Sequence, residues 1–353
     1  MIIEMSQTEG YEIFLQHVQF ETTGRCNMSC LHCRAWNEPK QDLPLSVMES
    51  ILGFVAAESD HGFGVTISGG EPFMRKDLAE LIRVTASFPV KLVAITTNGS
   101  LCSGKRLKEV LSSKGETNII IQVSLDSADA KEHNEFRGYP GAYDSALDGL
   151  KCAQDIGLQT AIRATIREGH VDAMEPLVQL AHSLSIPNIS FGTVVPFGRA
   201  TNNSMGMTAL QKKEFLLEVV RLKRHFQDLI NVETEDPLKF IVGRGVWDFS
   251  DIDPNDDLSF GGCTAGITTI NVTSDGIVTP CAVLPTQILD AKNKSSVAIA
   301  EEFVRSSVVK TLLSRSLGGK CASCEMKRVC GGCRAVSFAR SGDLMGEDCT
   351  CWC

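Results

Sequence analysis

The sequence has no excess of positive charge: 34 Lys and Arg stand against 43 Asp and Glu, a net charge of −9. Phosphate backbones are held by clustered cations, so no nucleic-acid partner is expected. No stretch approaches the roughly 18 apolar residues of a membrane-crossing helix, so no membrane partner is expected either. Met1 to Gly10 carries Glu4 and Glu9 and no apolar segment, unlike an export signal. The expected location is therefore cytoplasmic, where thiols stay reduced. With 43% hydrophobic and 22% charged residues, the chain is an ordinary globular protein. It is long enough for one large domain and a smaller one.

What the chain does have is cysteine, 14 in all. Three of them fall in Cys26-Asn27-Met28-Ser29-Cys30-Leu31-His32-Cys33, spaced x3 and then x2, and the next is as far away as Cys102. A disulfide set needs an even number, and a structural zinc needs a fourth ligand nearby. Three converging thiolates suit a [4Fe-4S] cluster with one iron left open. Cys102 and Cys152 are isolated and read as core residues.

Hydrophobic periodicity gives a repeated alternation of strands and helices. Strands are expected at 15–23, 65–68, 90–97, 118–125, 159–166 and 188–195. Helices are expected at 43–57, 76–86, 103–113, 142–156 and 170–184. Six such units imply an α/β fold with a parallel, curved or barrel-like sheet, and ligands at the carboxyl ends of its strands. The cysteine loop, Ser68-Gly69-Gly70-Glu71-Pro72, Thr97-Asn98-Gly99, Ser124-Leu125-Asp126 and Val194 to Arg199 all fall at such ends. Thr208 to Leu229 reads as an amphipathic connecting helix, and the acidic, turn-rich 248–257 as a domain boundary.

Cys-x3-Cys-x2-Cys after a strand, followed some forty residues later by Gly69-Gly70-Glu71-Pro72, resembles the radical S-adenosylmethionine (SAM) enzymes. The resemblance implies a partial (β/α)6 barrel over residues 1–200 and a helical connector over 201–257. It also implies a SAM-binding [4Fe-4S] cluster on Cys26, Cys30 and Cys33 as the catalytic centre. SAM would then meet His32 near its adenine and Gly69, Gly70, Glu71 and Pro72 at its amine. Asn98, Ser124 and Asp126 would lie at its ribose and carboxylate, Arg137 would neutralise that carboxylate, and Val195 would pack on the adenine. On the residues alone, the glycine pair is equally a strand-to-helix turn, and the polar residues equally caps or turn formers. The implied reaction is reductive cleavage of SAM to a 5′-deoxyadenosyl radical that abstracts a substrate hydrogen.

Residues 258–353 carry Cys263, Cys281, Cys321, Cys324, Cys330, Cys333 and Cys349. A turn signal, Ser274-Asp275-Gly276, predicts a β-hairpin between the first two. By themselves the paired Cys-x2-Cys spacings also describe a tetrahedral zinc site. In this order, behind the first motif, they resemble the cysteine-rich SPASM extension with two auxiliary [4Fe-4S] clusters. That resemblance assigns Cys263, Cys281 and Cys333 to one cluster and Cys321, Cys324, Cys330 and Cys349 to the other. The first lacks a clear fourth ligand, and Cys351 and Cys353 are candidates.

Two substrate classes follow from the resemblance. One is maturation of a ribosomally made peptide or protein. The alternative is oxidative trimming of tetrapyrrole side chains in haem-type cofactor synthesis, to which Cys33-Arg34-Ala35 and Cys333-Arg334-Ala335 bear a likeness. Only 25 residues precede Cys26, so recognition of a peptide leader would need a separate binding protein or the barrel itself. No stretch resembles a flavin or nicotinamide site, so a ferredoxin- or flavodoxin-type electron donor is expected. An electron-carrying iron–sulfur protein would not explain residues 69–72.

Overall fold

The computed structural model describes residues 1–5, 10–37, 39–59, 61–202, 205–243, 245–247 and 261–353. The expected boundary at 248–257 lies outside them. A small antiparallel pair, β1 (Ile2–Glu4) and β2 (Gly10–Glu12), opens the chain. The alternation follows as β3 (His17–Thr23), α1 (Leu45–Ala57), β4 (Phe63–Gly69), α2 (Leu78–Ala86), β5 (Val90–Thr97), α3 (Gly104–Ser113) and β6 (Asn118–Ser124). It continues through α4 (Ala130–Arg137), α5 (Ala142–Asp155), β7 (Gln159–Ile166), α6 (Met174–Ser183) and β8 (Asn188–Thr193). The six expected strands and five expected helices are all present, within a few residues of their expected ends.

Local chemistry sets those ends. Pro44, with φ −61° and ψ 137°, cannot extend α1 backwards. The Ser103 hydroxyl accepts from Arg106 N at the start of α3, and the Asp129 carboxylate from Glu132 N at the start of α4. After α7 (Arg199–Asn202), α8 (Ala209–His225) begins with a reciprocal Thr208–Gln211 capping box. It ends on Lys223, Arg224 and His225, which complement the helix dipole.

The connector contributes more than a helix. It includes β9 (Asn231–Thr234), which pairs in parallel with β8, and then α9 (Lys239–Val242). The expected hairpin forms as β10 (Thr269–Val272) and β11 (Ile277–Thr279), with Gly276 at φ +85° in its turn. It does not fold apart from the first sheet, because β10 pairs in parallel with β3, Thr269 opposite His17. The result is one sheet of ten strands in the order β12 (Leu289–Asp290), β11, β10, β3, β4, β5, β6, β7, β8, β9, open at both edges. Helices α10 (Ser296–Arg305), α11 (Ser307–Ser314) and α12 (Arg334–Ser341) complete the chain.

Each strand alternates. Val18, Phe20, Val65, Ile67, Val93, Ile95, Ile121, Val123, Ile162, Ile189 and Phe191 are buried with the core side chains of the helices. The other face is polar. His17 meets Thr66 (Nε2 to Oγ1, 3.0 Å), Gln19 donates to Ser68 Oγ (2.8 Å), and Thr96 donates to Gln122 Oε1 (3.0 Å). Arg163 reaches Ser190 Oγ at 3.4 Å on the same face. A closed, packed barrel would fill this side with branched apolar residues. Here the face is a hydrogen-bonded lining.

Candidate functional site

The cysteine loop is pressed between strand ends. Gly70 N donates to Thr23 O (2.6 Å) and Glu71 N to Arg25 O (2.8 Å). A Cβ at Gly70 would lie 2.0 Å from Arg25 O. One at Gly138 would lie 2.5 Å from Ser29 O, and one at Gly198 would lie 2.6 Å from Cys33 O. Glycines after β4, after α4 and after β8 thus let the backbone abut the loop at its start, middle and end. Two further backbone hydrogen bonds and one side chain add to the clamp. Leu31 N donates to Phe136 O (2.9 Å), Arg199 N to Cys33 O (3.1 Å) and Arg199 Nη1 to Cys30 O (3.3 Å).

Glu71 is buried, and its carboxylate is committed within the protein. It accepts from Phe73 N (3.1 Å), Thr97 Oγ1 (2.7 Å) and Asn98 N (2.8 Å), tying the ends of β4 and β5 together. Burial raises its pKa, against these three donors. Pro72 begins a short 3₁₀ turn to Met74. Asn98 donates to Asn27 Oδ1 (2.9 Å) and Asn27 to Ser100 Oγ (2.8 Å), so an amide inside the cysteine motif anchors it to the turn after β5. That role of Asn27 is invisible in the spacing of the cysteines.

A second network lies past β6. Ser124 is buried at the strand end. Asp126 accepts from Arg137 Nε (2.6 Å) and Thr165 N (2.8 Å), and its own N–H donates to His133 Nδ1 (3.1 Å). Burial pushes the Asp126 carboxyl up, but Arg137 and the neighbouring histidines outweigh it and hold the carboxyl below its usual range. Arg137 Nη1 also lies 3.9 Å from Cys30 Sγ. Its charge is thus partly used by Asp126 and partly aimed at the cysteine loop.

His32 stacks on Phe136, with ring centroids 4.2 Å apart and planes at 21°. Burial, reinforced by Arg137, lowers its pKa to about 3, so the ring is neutral. Its Nδ1 is buried with no hydrogen-bond partner among the described residues. Phe136 packs with Val194, Ala200 and Met205 in a small apolar cluster, and half-buried Val195 adjoins it. Cys26, at a pKa of about 11, is pushed up by burial, with the nearby Glu71, Cys30 and Cys33 adding to the push against one Met28 N–H. Three neighbouring thiols next to a flat ring and an orphaned buried nitrogen suit an iron–sulfur cluster and a planar heteroaromatic ligand.

In the C-terminal part, Cys263, Cys281 and Cys333 are neighbours. Burial, with Cys263 close by, raises Cys281 to about 11 and Cys333 above its usual value. Cys321, Cys324, Cys330, Cys351 and Cys353 line one cavity, with Leu238, Ile241 and Met326 among its walls. Cys349, expected as the fourth ligand there, is exposed and does not line it. Asp348 is the reason. Its buried carboxylate accepts from Cys333 N (2.7 Å), Thr350 N (2.9 Å) and Thr350 Oγ1 (2.6 Å), and its carbonyl from Cys351 N (3.1 Å). That turn directs Cys351 inward and Cys349 outward. Cys102 is a core residue as expected, its sulfur 3.9 Å from Thr97 Oγ1.

Residues 20–181 match the family model of the radical SAM superfamily. The chain carries a radical SAM domain. It is an enzyme whose radical SAM domain is followed by a cysteine-rich C-terminal part, and the family's equipment is a [4Fe-4S] cluster and SAM. Among its relatives is a protein named AdoMet-dependent heme synthase from Oleidesulfovibrio alaskensis. It is 27% identical over 346 residues, covering 95% of this chain and 86% of that one. Another is the subtilosin biosynthesis protein AlbA of Bacillus subtilis, 26% identical over 76% of this chain and 55% of that one. Streptococcus suis SuiB, solved with its precursor peptide SuiA, shares the fold with TM-score 0.76 at 20% identity, over 96% of this chain and 76% of that one. The enzyme anSMEcpe, solved with bound AdoMet, shares it with TM-score 0.69 at 16% identity, over 94% and 92% of the two chains. Among the described residues no helix is long and apolar enough to cross a membrane.

Proposed function

We propose that the chain acts on the propionate side chains of an iron tetrapyrrole in a haem-forming reaction, the second of the two substrate classes drawn from the sequence. The observation that carries this is the extent of the likeness. Three relatives named AdoMet-dependent heme synthase align with 95% of this chain and 86–95% of themselves. The peptide-linked AlbA aligns over 55% of its own length, and SuiB at 20% identity bears on the fold alone.

In this proposal Cys26, Cys30 and Cys33 hold the SAM-binding cluster. Cys263, Cys281 and Cys333 hold one auxiliary cluster, and Cys321, Cys324 and Cys330 hold a second, completed by a cysteine of the tail. When bound, these groups supply reductive cleavage of SAM and one-electron transfer. The chain supplies the rest. The His32–Phe136 stack with Val194 and Val195 gives the adenine a flat floor, and Arg137 keeps a fixed positive charge beside the loop. Glycine backbone at residues 69 and 70 leaves SAM's amine room to approach, while Glu71 holds that turn in place. Arg163, on the polar face of the sheet and one-third exposed, pairs loosely with Glu235 at 3.5 Å. A substrate propionate can take the place of Glu235 there. Conversion to a vinyl group removes a hydrogen atom, carbon dioxide and one electron from each propionate, so an electron acceptor is required as well as a ferredoxin- or flavodoxin-type donor.

The test is an anaerobic incubation of the iron-loaded protein with SAM, a reductant and Fe-coproporphyrin III, followed by mass spectrometry. Expected are 5′-deoxyadenosine and a porphyrin that has lost carbon dioxide and two hydrogens per side chain. Deoxyadenosine with an unchanged porphyrin would overturn the substrate class and return the peptide alternative to first place. Arg163→Met is expected to raise KM more than it lowers kcat.

A further inference from the structure

The turn Cys330-Gly331-Gly332-Cys333 joins the two C-terminal cysteine sets, because Cys330 belongs to one and Cys333 to the other. Both glycines are there to make room for guanidinium groups. A Cβ at Gly331 would lie 1.3 Å from Arg315 Nη1, and one at Gly332 would lie 2.7 Å from Arg334 Nη2. Both glycines also have left-handed backbones, φ +68° and +60°.

Arg315 sits in the left-handed region itself, φ +49°, and its Nη2 donates to Cys263 O (2.6 Å) and Gly261 O (3.1 Å). It therefore touches the backbone of the first set and lies within electrostatic reach of Cys330 of the second. Arg334 is 2% exposed, and among the described residues only its Nη1 is engaged, by Gly346 O (2.7 Å) and Leu344 O (3.2 Å). Its Nε and Nη2 are buried without a hydrogen-bond partner, and it makes no ion pair among the described residues. The adjacent Asp348 gives its oxygens to Cys333 N and to Thr350.

A buried guanidinium with open donors, next to a second one, is costly unless an anion lies close. A four-iron cluster on cysteine thiolates is such an anion: it carries net negative charge and has sulfurs that accept N–H hydrogen bonds. Charge and hydrogen bonds at the sulfurs are what set a cluster's reduction potential. We infer that Arg334, braced by Arg315 across the double-glycine turn, is a built-in counter-ion and hydrogen-bond donor that raises the reduction potential of one of the two auxiliary iron–sulfur clusters that meet at Cys330 and Cys333. The inference rests on the assignment of these cysteines to iron–sulfur clusters. Arg334 is on this account a positioning and tuning residue, since its effect is exerted on the cluster and not on substrate.

The experiment compares wild type, Arg334→Lys and Arg334→Gln, purified anaerobically. It measures iron, sulfide and zinc, and then runs an EPR-monitored redox titration. Expected is an unchanged metal count with a more negative midpoint for one auxiliary signal in Arg334→Gln, and a smaller shift in Arg334→Lys. An unchanged midpoint in Arg334→Gln at full iron content would overturn the inference and leave the cluster assignment standing. Equal loss of iron in both variants, with wild-type circular dichroism, would show that the residue packs rather than compensates charge, and would also overturn it. Zinc instead of iron in the C-terminal part of the wild type would overturn the cluster assignment and the inference with it.

Discussion

The imidazole of His133 works as an acceptor. Asp126 N–H donates to its Nδ1, which requires that nitrogen to be unprotonated. Burial lowers the pKa to about 4, with Asp126 opposing and Arg137 reinforcing. The unfolded chain therefore takes the proton first, near 6.5, and stability falls as pH drops from there towards about 4. One such group contributes on the order of 3 kcal/mol over that window. Asp126, held below its usual range, adds a further loss at still lower pH. Urea midpoints of wild type should fall between neutral pH and pH 4, and His133→Gln, which can accept the same bond without titrating, should flatten that slope. An identical slope in both would remove His133 from the account. At Gly70 the constraint is steric. The Cβ of Gly70→Ala would meet the carbonyl of Arg25, which is backbone and cannot turn aside. A loss of roughly 3 kcal/mol, with a lower iron content at the first site, is expected from thermal melts and metal analysis.

Among the elements, β3 has the most to hold. Its buried Glu21 pairs through Oε1 with Arg34, which follows the cysteine loop. The same oxygen accepts from Asn271 Nδ2 of β10 at 2.8 Å, an amide that also reaches Thr279 Oγ1 at 3.1 Å. Asn271→Ala would remove a buried donor from a charged acceptor and should cost about 2 kcal/mol in chemical denaturation. An effect near zero would mean that Arg34 alone satisfies Glu21. The six central strands were legible in the sequence because they are long, rich in branched residues and bounded by turn signals. Glu71, Asn98 and Asp126 were legible as strand-end residues for the same reason. The four residues of β9 were not, because Asn231 to Thr234 alternates weakly and owes its place to pairing with β8. Nor was α4, the short polar helix that carries Arg137. That Cys351 and not Cys349 lines the cavity follows from where the buried Asp348 carboxylate finds donors, a tertiary fact with no periodic trace.

For the molecule as a whole, the cysteine-rich part is not a separable appendage, since β10 is the neighbour of β3 in the main sheet. A chain ending at residue 247 would leave the edge of β3 bare, with unpaired backbone donors and acceptors open to other chains. Size-exclusion chromatography should show such a chain aggregated. A monomeric truncated form that still binds SAM would contradict that dependence. The same pairing sets a timetable in the cell. At about 5–20 residues per second, a ribosome that has just delivered His17 needs roughly a quarter of a minute to most of a minute to deliver Thr269, its partner across the ladder. During that interval β3 can acquire β4 but not β10. The nascent barrel therefore waits with one flank unsheathed, and the last third of the message decides whether the first strand stays out of trouble.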